Sequence, residues 1–360
     1  MKNLREYPIP LGQLPTGPLN LISDVPGVIV GHSTIHQGNN HTGVTVILPG
    51  PGNPFREKYT AAAYVHNGYG KTAGMPQIQE LGVLETPIAL TNTLNVGLVW
   101  DGLLDWMLEQ CQRDSIHARS VNPVVGECND SHINDICHRA VNSSHVREAI
   151  TNAGAQFEQG AVGAGTGTLC YGFKGGIGSS SRQITVAGKP YTVGALVQSN
   201  FGAMKDLVLG GRPVGQEALA WAEQRHQTPP SEKDQGSIMT VIATDLPLSD
   251  RQLYRVIRRA GVGIARGGAY TGHGSGEIML GFTTANRIPL EGEELRTQTI
   301  LREDLLDGVF QAVAEAVNES ILNSMLWSPE TIGLNGETYP SLRDFLDTGV
   351  LNTVPQWARR

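Results

Sequence analysis

The chain has 360 residues, of which 40% are hydrophobic and only 17% charged, so it can bury a large core and is not a disordered chain. A formal net charge of -7, a pI near 5.8 and scattered basic residues exclude a nucleic-acid binder built on a basic face. Four cysteines, Cys111, Cys128, Cys137 and Cys170, contain no Cys-x-x-Cys pair and indicate neither a zinc knuckle nor a disulfide scaffold.

The first residues lack the apolar segment of a secretory signal, and no apolar run approaches bilayer-spanning length, which makes the cytoplasm the expected compartment and excludes a membrane span. Hydrophobic runs bounded by Gly, Pro, Asn or Asp predict strands over 27–32, 43–48, 86–92, 191–197, 239–244 and 277–283. Helical patterns cover 101–113, 145–153, 215–223, 249–259 and 305–326, the last opening after acidic residues that suit a helix N-terminus. Arg255, Arg258, Arg259 and Arg266 fall at helical spacing and read as a solvated face. Length alone suggests two domains, yet no Pro/Ser-rich break separates two hydrophobic patterns, so one catalytic domain over 1–360 is expected. The mixture of strands and helices is not the regular repeat of a doubly wound sheet and fits an α/β protein of layered sheets covered by helices.

The most informative junction is Gln235-Gly236-Ser237-Ile238-Met239, where a polar, proline-bearing stretch over 227–234 meets a buried strand. The stretch has the composition of an exposed loop that tolerates a break. Were the Gly236-Ser237 bond cut, Ser237 would carry a free α-amine beside its own hydroxyl, nucleophile and base in one residue. An α-amine has a reference pKa of about 7.7–8.0 and is substantially neutral near physiological pH. The chain offers no Gly-x-Ser-x-Gly elbow at its glycine-rich loop over 261–276, where His273 stands two before Ser275.

Several stretches together resemble the self-processing serine aminopeptidases, the family of L-aminopeptidase/D-amino-acid esterase and the β-peptidyl aminopeptidases. They are the Gly236-Ser237 junction, the helix and glycine-rich loop ending in Gly274-Ser275-Gly276-Glu277, and the segments over 22–32, 42–49, 66–77, 86–97, 163–167 and 173–182. The resemblance implies a four-layer α-β-β-α sandwich, maturation into fragments 1–236 and 237–360, no cofactor and no metal, and an assembly of several cleaved protomers. It also implies hydrolysis of N-terminal residues from small peptides, amides or esters through an acyl-enzyme on Ser237.

Ser275 and Glu277 match the family's supporting pair and share a face if extended; a plain Gly-Ser-Gly-Glu turn is the alternative. Asn200, which ends the stretch Leu196-Val197-Gln198-Ser199-Asn200 and precedes Phe201-Gly202, resembles the family's strand-end asparagine and is the candidate oxyanion donor, although an asparagine that merely stops a strand looks the same. Glu127 resembles an acidic position near the family's pocket and is the candidate partner for the substrate ammonium, with Asp130 and Asp135 as competitors. His132 stands where relatives carry an aromatic residue and is expected to alter the pocket. His132, Asp135 and His138 at spacings of three form only a weak metal pattern.

Other classes stay open at this point. An acyltransferase of the ornithine acetyltransferase type cleaves itself in the same way but uses threonine. An uncleaved relative would act as a binding scaffold. The run over 160–167 is glycine-rich enough to suggest a phosphate cradle, but it lacks the Lys-Ser/Thr of a P-loop.

Overall fold

In the computed structural model, which describes residues 2–225 and 235–352, two sheets stack face to face. The loop expected over 227–234 and the C-terminal tail from residue 353 lie outside the described residues. The smaller sheet takes β1 (Ile29–Gln37), β2 (Asn40–Leu48), β5 (Ile88–Asn92) and β6 (Val124–Cys128) in the spatial order 1-2-5-6. The larger takes β3 (Glu57–Gly68), β4 (Val83–Leu84), β7 (Gly176–Val186), β8 (Lys189–Asn200), β9 (Gly236–Thr244) and β10 (Ser275–Pro289) in the order 4-3-10-9-8-7. At its centre β9 and β10 run parallel, and both neighbours of this pair are antiparallel to it.

Strand alternation sorts the side chains into three cores. Met239, Val241 and Ala243 of β9 meet Leu90, Val124 and Cys128 across the gap between the sheets. Ile238 and Ile242, pointing the other way, pack with Val313, Val317 and Ile321 of the long helix over 307–326. On the far side Val44, Ala89 and Val125 meet Val99, Leu103 and Val146, from helices over 96–113 and 143–151. The order of layers is therefore helix, sheet, sheet, helix, as the resemblance implied. None of the described helices is long and apolar enough to cross a membrane.

Three differences from the sequence expectations have physical causes. The helix expected over 249–259 begins on a Ser249–Gln252 capping box but divides into segments over 250–257 and 260–265. Its arginines are not simply solvated: Arg259 lies 3.9 Å above the Phe310 ring and Arg258 5.1 Å above Tyr64. β7, with its Gly-Ile-Gly-Ser-Ser-Ser start, is absent from the expected strands. It is a strand because small side chains let the 307–326 helix approach; a Cβ at Gly178 would stand 1.9 Å from the Ser320 carbonyl. β3 is absent from the expected strands because its Ala61-Ala62-Ala63 run is buried on both faces and shows no alternation.

Candidate active site

Ser237 is the second residue of β9 and is only 6% exposed. Its Oγ donates to the carbonyl of Gly236, the residue just before it, at 2.6 Å. Gly236 has φ +116°, and a Cβ there would stand 1.8 Å from the Asn200 carbonyl, so only glycine fits. Across β10, Gly276 faces Ser237, and a Cβ on it would come 3.1 Å from the Ser237 Oγ and 2.6 Å from the Tyr69 carbonyl. Two glycines thus keep open the space around the hydroxyl and the peptide bond it touches.

That bond forms part of the wall of a cleft of about 300 Å³, which Asn200, Glu127 and His132 also line. Asn200 is paired with Ser237 in the β8–β9 register. Its Oδ1 accepts from the Leu169 N–H at 2.9 Å, which fixes the amide and leaves its NH2 half as the donor toward the cleft.

Glu127 is the last but one residue of β6 and is 2% exposed. One carboxylate oxygen accepts from the Lys71 backbone N–H at 2.8 Å, the other from the Thr93 hydroxyl. It is an oriented, buried carboxylate at the cleft wall. Neither competitor lines the cleft. Asp130 is buried and accepts from Asn134 Nδ2 at 3.0 Å, with burial pushing its pKa up to about 6; Asp135 is exposed on the following turn. His132 is exposed at the cleft wall with its ring edge-on to Tyr339 at 6.4 Å.

Ser275 and Glu277 are both fully buried and joined, Ser275 Oγ donating to a Glu277 carboxylate oxygen. In the β9–β10 register they stand opposite Gly236 and Ile238. They share a strand face with Met279, which lies in the core beneath the long helix, whereas Ser237 shares its face with Met239 of the inter-sheet core. The pair therefore sits behind the strand beside the Gly236-Ser237 peptide, while the Ser237 hydroxyl points to the cleft side.

The glycine run over 160–167 is no phosphate cradle. Gly163, Ala164 and Gly165 form a buried turn, and a Cβ at Gly165 would meet the Ile177 backbone nitrogen at 2.4 Å. His138 Nδ1 lies 2.9 Å from Asn40 Oδ1, and among the described residues no three His, Cys, Asp or Glu side chains gather as for a metal ion.

Lys71 and Thr93, which hold Glu127, do not stand out in the sequence as site residues, although both fall in segments that carry the family resemblance. The available signal is Gly70-Lys71-Thr72 after β3 and Asn92-Thr93 after β5, strand ends meeting at one rim of the sandwich.

The chain is 38% identical over 350 residues to the β-peptidyl aminopeptidase BapA of Sphingosinicella xenopeptidilytica, covering 92% of this chain and 86% of that one. Among solved structures it resembles the PH0078 protein of Pyrococcus horikoshii OT3, at 45% identity and a TM-score of 0.89, covering 96% and 98% of the two chains. It also resembles the L-aminopeptidase D-Ala-esterase/amidase of Ochrobactrum anthropi, described as a variant of the Ntn hydrolase fold, at 33% identity and a TM-score of 0.85 over 95% and 97% of the chains. The profile of peptidase family S58 matches residues 20–339, and the chain belongs to that family.

Proposed function

We propose that the protein is an aminopeptidase that cuts its own Gly236-Ser237 bond and then uses the new N-terminal Ser237 to release N-terminal residues from short peptides, amides or esters. The observation that carries this reading is the Ser237 hydroxyl resting on the carbonyl of its own preceding residue at 2.6 Å, inside a cleft shared with a buried carboxylate. Attack of Oγ on the Gly236 carbonyl carbon breaks the C–N bond and passes the proton to the departing Ser237 amine, leaving an ester. Water then hydrolyses the ester to a Gly236 carboxylate and a free Ser237 N-terminus, giving fragments 1–236 and 237–360.

In turnover the neutral α-amine takes the proton of the Ser237 hydroxyl as it attacks the substrate carbonyl. The Asn200 NH2 supports the developing oxyanion, Glu127 pairs with the substrate ammonium, and the leaving amine takes back the proton. Water repeats the sequence on the acyl-enzyme. Ser275 and Glu277, buried beside the scissile peptide, hold the α-amine once the strand end is freed. The names of the relatives, a β-peptidyl aminopeptidase and an L-aminopeptidase D-Ala-esterase/amidase, support a substrate range that includes L-, D- and β-residues.

Mass spectrometry and N-terminal sequencing of purified protein should find a fragment starting at Ser237, and Ser237→Ala should abolish both the cut and the hydrolysis of aminoacyl p-nitroanilides. An intact chain with full peptidase activity would refute the mechanism.

A further inference from the structure

Lys174 is fully buried, yet the cleft does not contain it. Its Nζ donates to the carbonyls of Gly165 at 3.0 Å, Thr168 at 2.9 Å and Gly175 at 2.7 Å. Three acceptors match the three donors of an ammonium, whereas a neutral amine has only two. Satisfying these carbonyls does not explain a buried charge, because each already has another donor. The Thr168 hydroxyl reaches Gly165 at 3.1 Å, the Gly175 N–H reaches Thr168 at 3.0 Å, and the Ser328 hydroxyl reaches Gly175 at 2.6 Å. Burying a cation is costly, and burial pulls the Lys174 pKa down to about 7 against the opposing pull of buried Asp130.

What the ammonium touches suggests its role. The Thr168 carbonyl and the Leu169 N–H are two ends of one peptide group: the first accepts from Lys174 at 2.9 Å, and the second donates to Asn200 Oδ1 at 2.9 Å. Leu169 and Lys174 face each other in a short hairpin whose turn residues, Tyr171 and Gly172, have φ of 50° and 74°, as a tight two-residue turn requires. The Tyr171 N–H bonds to the carbonyl of Phe201 at 2.8 Å, so the hairpin is pinned to the chain at Asn200 and at the residue after it.

We infer that Lys174 is a positioning residue for the oxyanion donor, acting through the Thr168–Leu169 peptide to orient and polarise the Asn200 amide. A cation on the peptide oxygen draws electron density from its N–H, which strengthens the bond to Asn200 Oδ1; that bond in turn makes the Asn200 NH2 a better donor. The chain of contacts is ammonium, peptide group, side-chain amide, oxyanion. It rests on the reading of Asn200 given above.

The test is a double-mutant cycle on kcat and KM with an aminoacyl p-nitroanilide, rates being normalised to protomers that carry a free Ser237 N-terminus. Lys174→Met, and Lys174→Gln, which keeps amide donors but no charge, are each expected to lower kcat about ten- to a hundredfold, part of the roughly 10²–10³ that one oxyanion donor commands. KM should stay within about threefold. In an Asn200→Ala background, adding Lys174→Met should change kcat by less than about threefold. A wild-type kcat in the lysine variants beside an impaired Asn200→Ala would overturn the role of Lys174, as would fully additive losses. A wild-type kcat in Asn200→Ala would remove the reading of Asn200 itself, and the proposal with it.

Discussion

Glu127→Gln isolates the charge proposed to recognise the substrate amine. In the wild type each carboxylate oxygen already accepts one protein bond, from the Lys71 N–H and the Thr93 hydroxyl, and each keeps one lone pair for a ligand. The glutamine carbonyl can retain the Lys71 bond, and the Thr93 hydroxyl can turn to accept from the new NH2, so the fold should lose no more than about 1 kcal/mol. What disappears is the charge-assisted bond to the substrate ammonium, typically about 1.5–3 kcal/mol. At 1.36 kcal/mol per decade, kcat/KM for a free-amine substrate should fall about 10- to 150-fold. The assay compares aminoacyl p-nitroanilides with the matching α-hydroxyacyl p-nitroanilides, which have the same shape but no cation. Wild type should strongly prefer the amine and Glu127→Gln should level the two. If the variant keeps the full preference for the amine, Glu127 does not hold it; if wild type cleaves N-acetylated peptides well, the aminopeptidase reading itself is wrong.

Two further expectations follow from the geometry. Ser275→Ala removes the hydroxyl bonded to Glu277 behind the strand, so turnover should drop by about tenfold or more while the protein still folds; wild-type kcat with an unchanged melt would leave the pair without a catalytic part. His32 lies 3.0 Å from the Thr45 hydroxyl and 3.1 Å from the Glu158 carbonyl, and burial lowers its pKa to about 4. The folded state therefore favours the neutral ring. Its contribution to stability is complete above the unfolded pKa of about 6.5, shrinks as pH falls toward 4 and amounts to about 3 kcal/mol. Denaturant midpoints between pH 7.5 and 4 should fall more steeply for wild type than for His32→Gln, and parallel slopes would contradict the assignment.

Part of this protein is legible in its local chemistry alone. The Gly236-Ser237 junction stands out as the candidate nucleophile because a polar, proline-bearing stretch there meets an apolar strand, with a glycine, the residue that tolerates strained backbone, just before the serine. The Ser249–Gln252 helix cap and the apolar run of β9 are likewise written in neighbouring residues. The pairing of Ser275 with Glu277 follows from a spacing of two on an extended strand, and the structure keeps it.

Tertiary structure decided the rest, since the physical quantities involved belong to no single segment. Glu127 becomes a buried, oriented anion only because the ends of β3, β5 and β6 meet at one rim, where Lys71 and Thr93 can reach it. Ser275 and Glu277 lie behind the Gly236-Ser237 peptide because the parallel register sets Ser275 opposite Gly236, and a register between strands well separated along the chain leaves no mark on either one. β7 is a strand only where the long helix comes close enough to need Gly178. Asn200 is held by Leu169, and Leu169 shares its peptide group with the carbonyl that Lys174 touches, because a hairpin folds over the end of β8. Sequence supplied the reactive types of residue; packing fixed their distances, burial and partners, and on those the chemistry depends.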